Sequence, residues 1–353
     1  MLDVICPICK KTNKYHLLEH LKDEHNMLLE EYLAQYPDDP YLSNQMYKMM
    51  NELNIKRTPV SSYAQMSVEM GDKKVILPFN FKIGGMYVPA LDPDYIFMKS
   101  MYYIYEGIKT DHVYIYGETG LGKTDGVYQL AALLNQPIRE LNMSGETTPE
   151  NFLGYLTATE GTIHFQKGIL LDCMEKGYWL LLDEIDYGNP NILSILNNVM
   201  QFGFIYVPEI KERVYAHPDF RVIGTANTAG TGDEVGFYQG TNRLNRALID
   251  RFGTCVEFEF PTVAELSLII EKKVGKLKDM SSFVQFVFEM RKAVTSNQIY
   301  MPFGIRSAIK FAKKLKAEKF NCWEAACISF ANMTDTHSRE VIKNILQKCF
   351  GTW

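Results

Sequence analysis

No stretch of this chain approaches the ~18 uninterrupted apolar residues that a membrane-spanning helix needs. Its longest apolar runs are short, as at Trp179–Leu182. No charged-then-apolar leader opens the sequence, so a cytoplasmic protein is expected. Internal repeats and low-complexity tracts are missing. With 46% apolar and 22% charged residues, a mainly disordered or collagen-like chain is excluded. Positive charge is not in excess: 37 Lys and Arg stand against 42 Asp and Glu, for a net charge of −5. Global charge therefore does not indicate a strongly basic nucleic-acid binder, and a local basic patch stays open. Cysteine is sparse and odd in number, at seven. Cys173, Cys255, Cys322, Cys327 and Cys349 are scattered, as ordinary thiols of a reducing compartment would be. Cys6 and Cys9 form a separate pair.

What is present fills 353 residues, enough for two to three domains. Residues 1–40 read as one unit, with helical spacing from Tyr15 to Tyr36 that Pro37 and Pro40 stop. Residues 41–86 read as a connector with short helices. Over 87–261 short β-rich runs alternate with helical stretches. HVYIY, Ile138–Leu141, YWLLLDE, FRVIGTAN and CVEFEF are the expected strands. Strands alternating with helices predict an α/β fold, a doubly wound parallel sheet. From 262 to 353 apolar residues recur at three or four, which predicts a helical domain.

Gly117-Glu118-Thr119-Gly120-Leu121-Gly122-Lys123-Thr124 satisfies G-x-x-x-x-G-K-[ST], after an expected strand and before an expected helix. Its glycines let backbone N–H groups curl around phosphates at a helix N-terminus. Lys123 would reach the β- and γ-phosphates of ATP, and the Thr124 hydroxyl would hold Mg²⁺. At the end of YWLLLDE, an apolar strand delivers Asp183 and Glu184 where α/β folds bind ligands. Asp183 would orient Mg²⁺ and Glu184 would polarise the attacking water; a helix N-cap pair is the plainer alternative. Asn227 ends the next strand, placed to hold that water or merely to form a turn. Arg251 follows a stretch carrying Arg243 and Arg246. It is a candidate arginine finger for a neighbouring subunit's phosphate, or a surface salt bridge.

Several further segments carry a resemblance. They are VPALDPDYIF, FQKGIL at 165–170, LLDEIDYGNPNILSILNNVM and PDFRVIGTANTAGTGDEVGFYQGTNRLNRALIDRF. With the phosphate loop, they make residues 87–261 similar to the AAA+ P-loop ATPases of the MoxR-like, dynein-related branch. Within that branch the chain resembles the ATPase subunit of aerobic cobaltochelatase. The resemblance implies a homo-oligomeric ring, expected to be a hexamer, with ATP between subunits. Lys123 and Thr124 would bind nucleotide and Mg²⁺, with Asp183 and Glu184 as the Walker B acids and Asn227 as sensor 1. Arg251 would be the trans finger with Arg246 as its understudy, and Arg306 would be sensor 2 at the start of a lid helix. It also implies two inserted hairpins, at 153–165 and 203–214, facing a pore or a partner; two plain surface hairpins are the alternative. In that family the motor works beside a partner carrying an integrin-type metal-binding domain.

Cys6, Cys9, His20 and His25 are spaced C-x2-C-x10-H-x4-H. Two thiolates and two imidazoles supply a closed tetrahedral set for structural Zn²⁺, and free thiols with helix histidines are the alternative. The segment from His20 to Pro40 is similar to the end of MucR/Ros-type bacterial zinc fingers, which would allow DNA contact. Glu19, Asp23, Glu24, Glu30 and Glu31 weigh against it, because phosphate affinity needs clustered Lys and Arg. Three functions follow: a ring-forming motor that remodels a partner protein, a DNA-associated motor recruited through the finger, and a non-enzymatic regulator using nucleotide as an assembly switch.

Overall fold

A computed structural model describes residues 3–5, 12–14, 66–77 and 87–351, apart from 160, 161, 234, 235 and 237. The expected zinc ligands Cys6, Cys9, His20 and His25, and the expected helix from Tyr15 to Tyr36, lie outside the described residues. Strands β1 (Asp3–Ile5) and β2 (Thr12–Lys14) pair antiparallel, with Ile5 opposite Thr12. Strands β3 (Met66–Met70) and β4 (Lys73–Leu77) form a second two-stranded sheet. The part of the connector that is described is thus a β-hairpin and not a short helix. Apolar alternation around a two-residue Gly71-Asp72 link outweighs the weak helical spacing there, and Gly71 takes the positive φ of +62° that such a link requires.

The next element is helix α1 (Lys99–Ile108), then strand β5 (Val113–Tyr116), helix α2 (Lys123–Leu133) and strand β6 (Ile138–Asn142). Helix α3 (Pro149–Phe152) leads into the hairpin β7 (Gly154–Thr159) and β8 (Thr162–Lys167). Helix α4 (Ile169–Lys176) precedes strand β9 (Trp179–Asp183). Helices α5 (Pro190–Leu193) and α6 (Ile195–Phe202) lead to a second hairpin, β10 (Phe204–Val207) and β11 (Glu212–Tyr215). Both expected hairpins are therefore present as hairpins. Strand β12 (Arg221–Ala226), helix α7 (Arg246–Ile249) and strand β13 (Thr254–Glu257) follow.

Five of these strands form one parallel sheet in the order β13-β5-β12-β9-β6. This is the α/β fold that the alternation of strands and helices predicts. Strands buried on both faces read as continuous apolar runs, and β9 shows it: Trp179 through Leu182 are buried, then Asp183 emerges at the carboxyl end. The strand order reverses beside β5, so ligands are expected over the carboxyl ends of β5, β12 and β9.

The chain ends in a helical bundle: α8 (Val263–Lys273), α9 (Met280–Thr295), α10 (Ile305–Lys316), α11 (Cys322–Ser329) and α12 (Thr336–Phe350). Reciprocal capping boxes start α8 (Thr262 with Glu265) and α11 (Asn321 with Glu324). Fully buried phenylalanines knit the bundle together. Phe286 of α9 lies 5.0 Å from Phe311 of α10 between ring centroids, and Phe303 lies 5.1 Å from Phe330. Truncating one such ring to Ala costs about 3–5 kcal/mol. Phe303 thereby fixes the turn that opens α10, and that turn reaches the phosphate loop.

Candidate functional site

Residues Gly117–Gly122 connect β5 to α2, and the fold explains their composition. Gly120 and Gly122 adopt φ of +77° and +93°, backbone that an L side chain rarely tolerates. The turn aims the Lys123 side chain back over the loop. Its ammonium donates to the carbonyls of Gly117 at 2.6 Å and Glu118 at 3.0 Å, and to Asn227 Oδ1 at 3.1 Å. Lys123 is only 8% exposed, and desolvation pushes its pKa down to about 8 against the charges of Asp186, Asp183, Glu184 and Glu118. A partly desolvated cation with movable donors is ready to exchange protein carbonyls for phosphate oxygens.

The Thr124 hydroxyl donates to Asp183 Oδ1 at 2.7 Å, and the Thr225 hydroxyl donates to the same oxygen. Glu184 follows Asp183 in the left-handed region, at φ +55°, which turns its side chain away from the strand direction. Burial raises its pKa, and the neighbouring Asp183 and Asp186 charges raise it further. Lys123, Thr124, Asp183, Glu184 and Asn227 thus converge from the ends of β5, β9 and β12, as the sequence motifs lead one to expect.

Asp186 was not among the expected site residues, and it organises the back of the site. Fully buried, its Oδ2 accepts from the backbone N–H of Asn227 (3.0 Å), the N–H of Thr228 (3.2 Å) and the Thr228 hydroxyl (3.1 Å). Burial raises its pKa, partly offset by those donors. The Tyr114 hydroxyl donates to the Thr228 carbonyl at 2.9 Å, closing the support behind Asn227. Tyr238, in the loop after β12, accepts from the Thr119 N–H at 3.2 Å. Nothing in the sequence pattern marks Tyr238, whereas an acid three residues after Asp183 on a turn of a buried strand was a readable signal for Asp186.

The helical bundle forms the other wall. Gly304 lies so close to the loop that a Cβ there would stand 2.7 Å from the Thr119 carbonyl oxygen and 2.8 Å from atoms of Gly120. The Arg306 N–H donates to the Gly120 carbonyl at 3.1 Å. Arg291 of α9 forms a two-pronged ion pair with Glu118, one arm at 2.8 Å. Between loop and bundle lies a cavity of about 410 Å³. Gly122, Ile96, Met98, Ile269, Ile305 and Ile309 give it apolar walls, Arg306 and Lys273 give it cationic ones, and Asp94 and Asp125 add carboxylates. A flat heteroaromatic ring with an attached anion suits such a lining.

Arg251 and Arg246 do not join this cluster within the chain. Arg251 donates to the Ala247 carbonyl and, at 2.8 Å, to Gln201 Oε1 of α6. Its Nε is buried with no hydrogen-bond partner among the described residues. Arg246 is exposed at the first turn of α7, and Arg243 precedes that helix and donates to the Thr231 carbonyl at 2.9 Å. Among the described residues no cluster of His, Cys, Asp and Glu suits a metal ion, and no helix is long and apolar enough to cross a membrane.

Comparison with known proteins agrees with this geometry. The family described as AAA domain (dynein-related subfamily) matches residues 112–252, a span running from the start of β5 to just before β13. The chain is 27% identical over 314 residues to aerobic cobaltochelatase subunit CobS of Sinorhizobium sp., covering 85% of this chain and 94% of that protein. It is 30% identical over 197 residues to an uncharacterised protein of Staphylococcus epidermidis, covering 53% of this chain and 71% of that one. Midasin of Dictyostelium discoideum is 32% identical over 142 residues, covering 40% of this chain and 2% of its own length. The chain carries an AAA domain of the dynein-related, MoxR-like type and is a homologue of CobS.

Proposed function

We propose that this protein hydrolyses ATP in a Mg²⁺-dependent reaction at the interfaces of a homo-oligomeric ring and spends the resulting motion on a partner protein. The observation that carries the reading is the convergence of Lys123, Thr124, Asp183, Glu184 and Asn227 over the carboxyl ends of three parallel strands. Residues 87–261 would be the ATPase domain and 262–353 its lid. The loop Gly117–Gly122 would cradle the phosphates, Lys123 would move from carbonyls to the β- and γ-phosphates, and the 410 Å³ cavity would take the adenine. Hard oxygen donors of Thr124 and Asp183 fit Mg²⁺. Bound there, Mg²⁺ neutralises charge on the phosphate oxygens. Glu184, its pKa raised by burial and then by its acidic neighbours, would take the proton of the attacking water while Asn227 orients it. Arg306 would sense nucleotide from the lid. Arg251, half-exposed on the α6–α7 face, would reach a neighbouring subunit's γ-phosphate, with Arg246 beside it; its unpartnered Nε supports that reading.

Exposed apolar side chains on both hairpins support contact with another protein: Tyr155, Leu156 and Ile163 on the first, Tyr206 and Tyr215 on the second. The similarity to CobS makes a partner with an integrin-type metal-binding domain the first to test. Cys6, Cys9, His20 and His25 have the donor chemistry for Zn²⁺, and the paired strands β1 and β2 flank the two cysteines in sequence. Free thiols at Cys173, Cys255, Cys322, Cys327 and Cys349 support a cytoplasmic setting.

The test is steady-state ATPase activity with mass by light scattering, with and without duplex and single-stranded DNA. Lys123→Ala should lose nucleotide binding. Glu184→Gln should keep binding and lose turnover by about two to four orders of magnitude. Wild-type turnover by Glu184→Gln would sink the catalytic assignment. DNA-stimulated turnover would replace partner remodelling with a nucleic-acid motor. Metal analysis of the Cys6→Ser, Cys9→Ser double variant should show one zinc fewer per chain, and equal zinc content would remove the finger.

A further inference from the structure

The phosphate loop is held by a residue outside every motif in this sequence. Arg291 lies on α9 of the bundle, 173 positions from Glu118, and only 17% of its side chain is exposed. Both arms of its guanidinium grip the two carboxylate oxygens of Glu118. The same guanidinium donates to the Phe303 carbonyl at 3.3 Å, and it covers the ring of Phe260 at 4.8 Å from the centroid. Phe260 lies in the segment joining β13 to α8, and Phe303 immediately precedes Gly304. One side chain therefore ties together the loop, the turn that opens α10 and the connection between sheet and bundle. A lysine in its place would carry the charge without the planar fork.

We propose that Arg291 is a positioning residue that sets the nucleotide cavity by fastening the helical bundle to Glu118 of the phosphate loop. The inference rests on the ATPase reading and names a control element for that same site. Ile305 and Ile309 of α10 wall the cavity, so bundle and loop must keep register for the cavity to exist. Glu118 meets Arg291 with its side chain, while its carbonyl faces Lys123. The pair therefore acts on the shape of the cavity and does not touch the γ-phosphate. Its loss weakens ADP and ATP alike.

The test is a double-mutant cycle on the full chain, read by equilibrium binding of ADP and of ATP with the Lys123→Ala variant as reference. Arg291→Ala and Glu118→Ala should each weaken both nucleotides, on the order of tenfold. The double variant should be no weaker than either single one. Arg291→Lys should fall between, and the exchange Arg291→Glu with Glu118→Arg should recover part of the loss. Weakening confined to ATP would overturn the proposal, because it would place Arg291 on the γ-phosphate. Additive effects, or a lower melting temperature with unchanged affinities, would also overturn it and leave a structural ion pair. If Lys123→Ala binds nucleotide as tightly as wild type, the ATPase reading itself fails, and that result is distinct from the others.

Discussion

Gly304→Ala should detach the bundle from the phosphate loop. The added methyl would sit 2.7 Å from the Thr119 carbonyl oxygen, and ordinary contact begins at 3.4 Å, so the two parts must separate by about 0.7 Å. The obstructing atoms are backbone, and Phe303 is locked in the aromatic cluster next door, so no rotamer change relieves the clash. Overpacking of this kind costs about 1–3 kcal/mol. Two smaller effects must be set against it. Alanine restricts the unfolded chain and returns about 0.4–1 kcal/mol. Gly304 is also the N-cap of α10, where alanine is a poorer residue than glycine, which takes some of that back. The steric cost therefore wins by about 1–2 kcal/mol, which lowers the melting temperature by roughly 2–8 °C for a domain of this size. The Arg306 N–H bond to Gly120 is lost in the same movement, so nucleotide affinity should fall together with stability. Gly145→Ala is the control, since a Cβ there meets nothing within 4 Å. Thermal unfolding with and without ADP reads both effects. Unchanged affinity and melting temperature in Gly304→Ala would refute the reasoning that this glycine is there for close approach.

Asp186→Ala should leave three donors at Asn227 and Thr228 without their acceptor, at about 1–3 kcal/mol for each group that water cannot reach. Turnover should fall on the order of tenfold or more while ADP affinity changes little; a matching loss of affinity would show that Asp186 supports the whole site instead. Turnover should also decline on the acid side above the ordinary carboxylate range, because Glu184 has a raised pKa and acts deprotonated. An acid limb at an unperturbed carboxylate pKa would contradict that. His112 is half-buried with its Nδ1 accepting the Val222 N–H at 2.9 Å, and desolvation holds its pKa at about 4, below the ordinary 6.5. The unfolded chain then binds the extra proton between those values, so stability is lost as pH falls from about 6.5 to 4, by about 3 kcal/mol at most. His112→Gln should flatten that stretch of the stability–pH curve, and an unchanged curve would mean the imidazole is not held neutral.

The sheet and the loop were legible because each depends on a short, contiguous signal. Four apolar residues followed by two acids read as a buried parallel strand with its end in the ligand crevice, and β9 with Asp183 is that. The glycine spacing from Gly117 to Gly122 is legible for a backbone reason, the positive φ at two of its glycines. The strand pair at 66–77 is not legible because a two-residue Gly-Asp link between alternating residues is a weak signal inside a methionine-rich stretch. The candidate cluster itself is readable because every member ends a strand or starts a helix that its own neighbours define.

The residues that hold this cluster in place were not readable, and the reason is topological. Arg291 and Glu118 lie 173 positions apart and meet only through the packing of the bundle on the phosphate loop, and neither side of the pair has a local pattern that announces the other. Gly304 is an ordinary helix start in sequence; its requirement comes from the Thr119 and Gly120 backbone, which arrives from the far end of the domain. Asp186 differs, because its partners lie on the adjacent strand, and an acid that a buried strand delivers just past its end must find donors nearby. The distinction has a functional edge. The residues of the candidate site are placed by short-range backbone rules, whereas the contacts between loop and bundle depend on how the two pack. On the proposed function, that second group is where nucleotide binding couples to the bundle: the Arg291 side chain, the Gly304 backbone and the Arg306 N–H all meet the same three loop residues, 118 to 120.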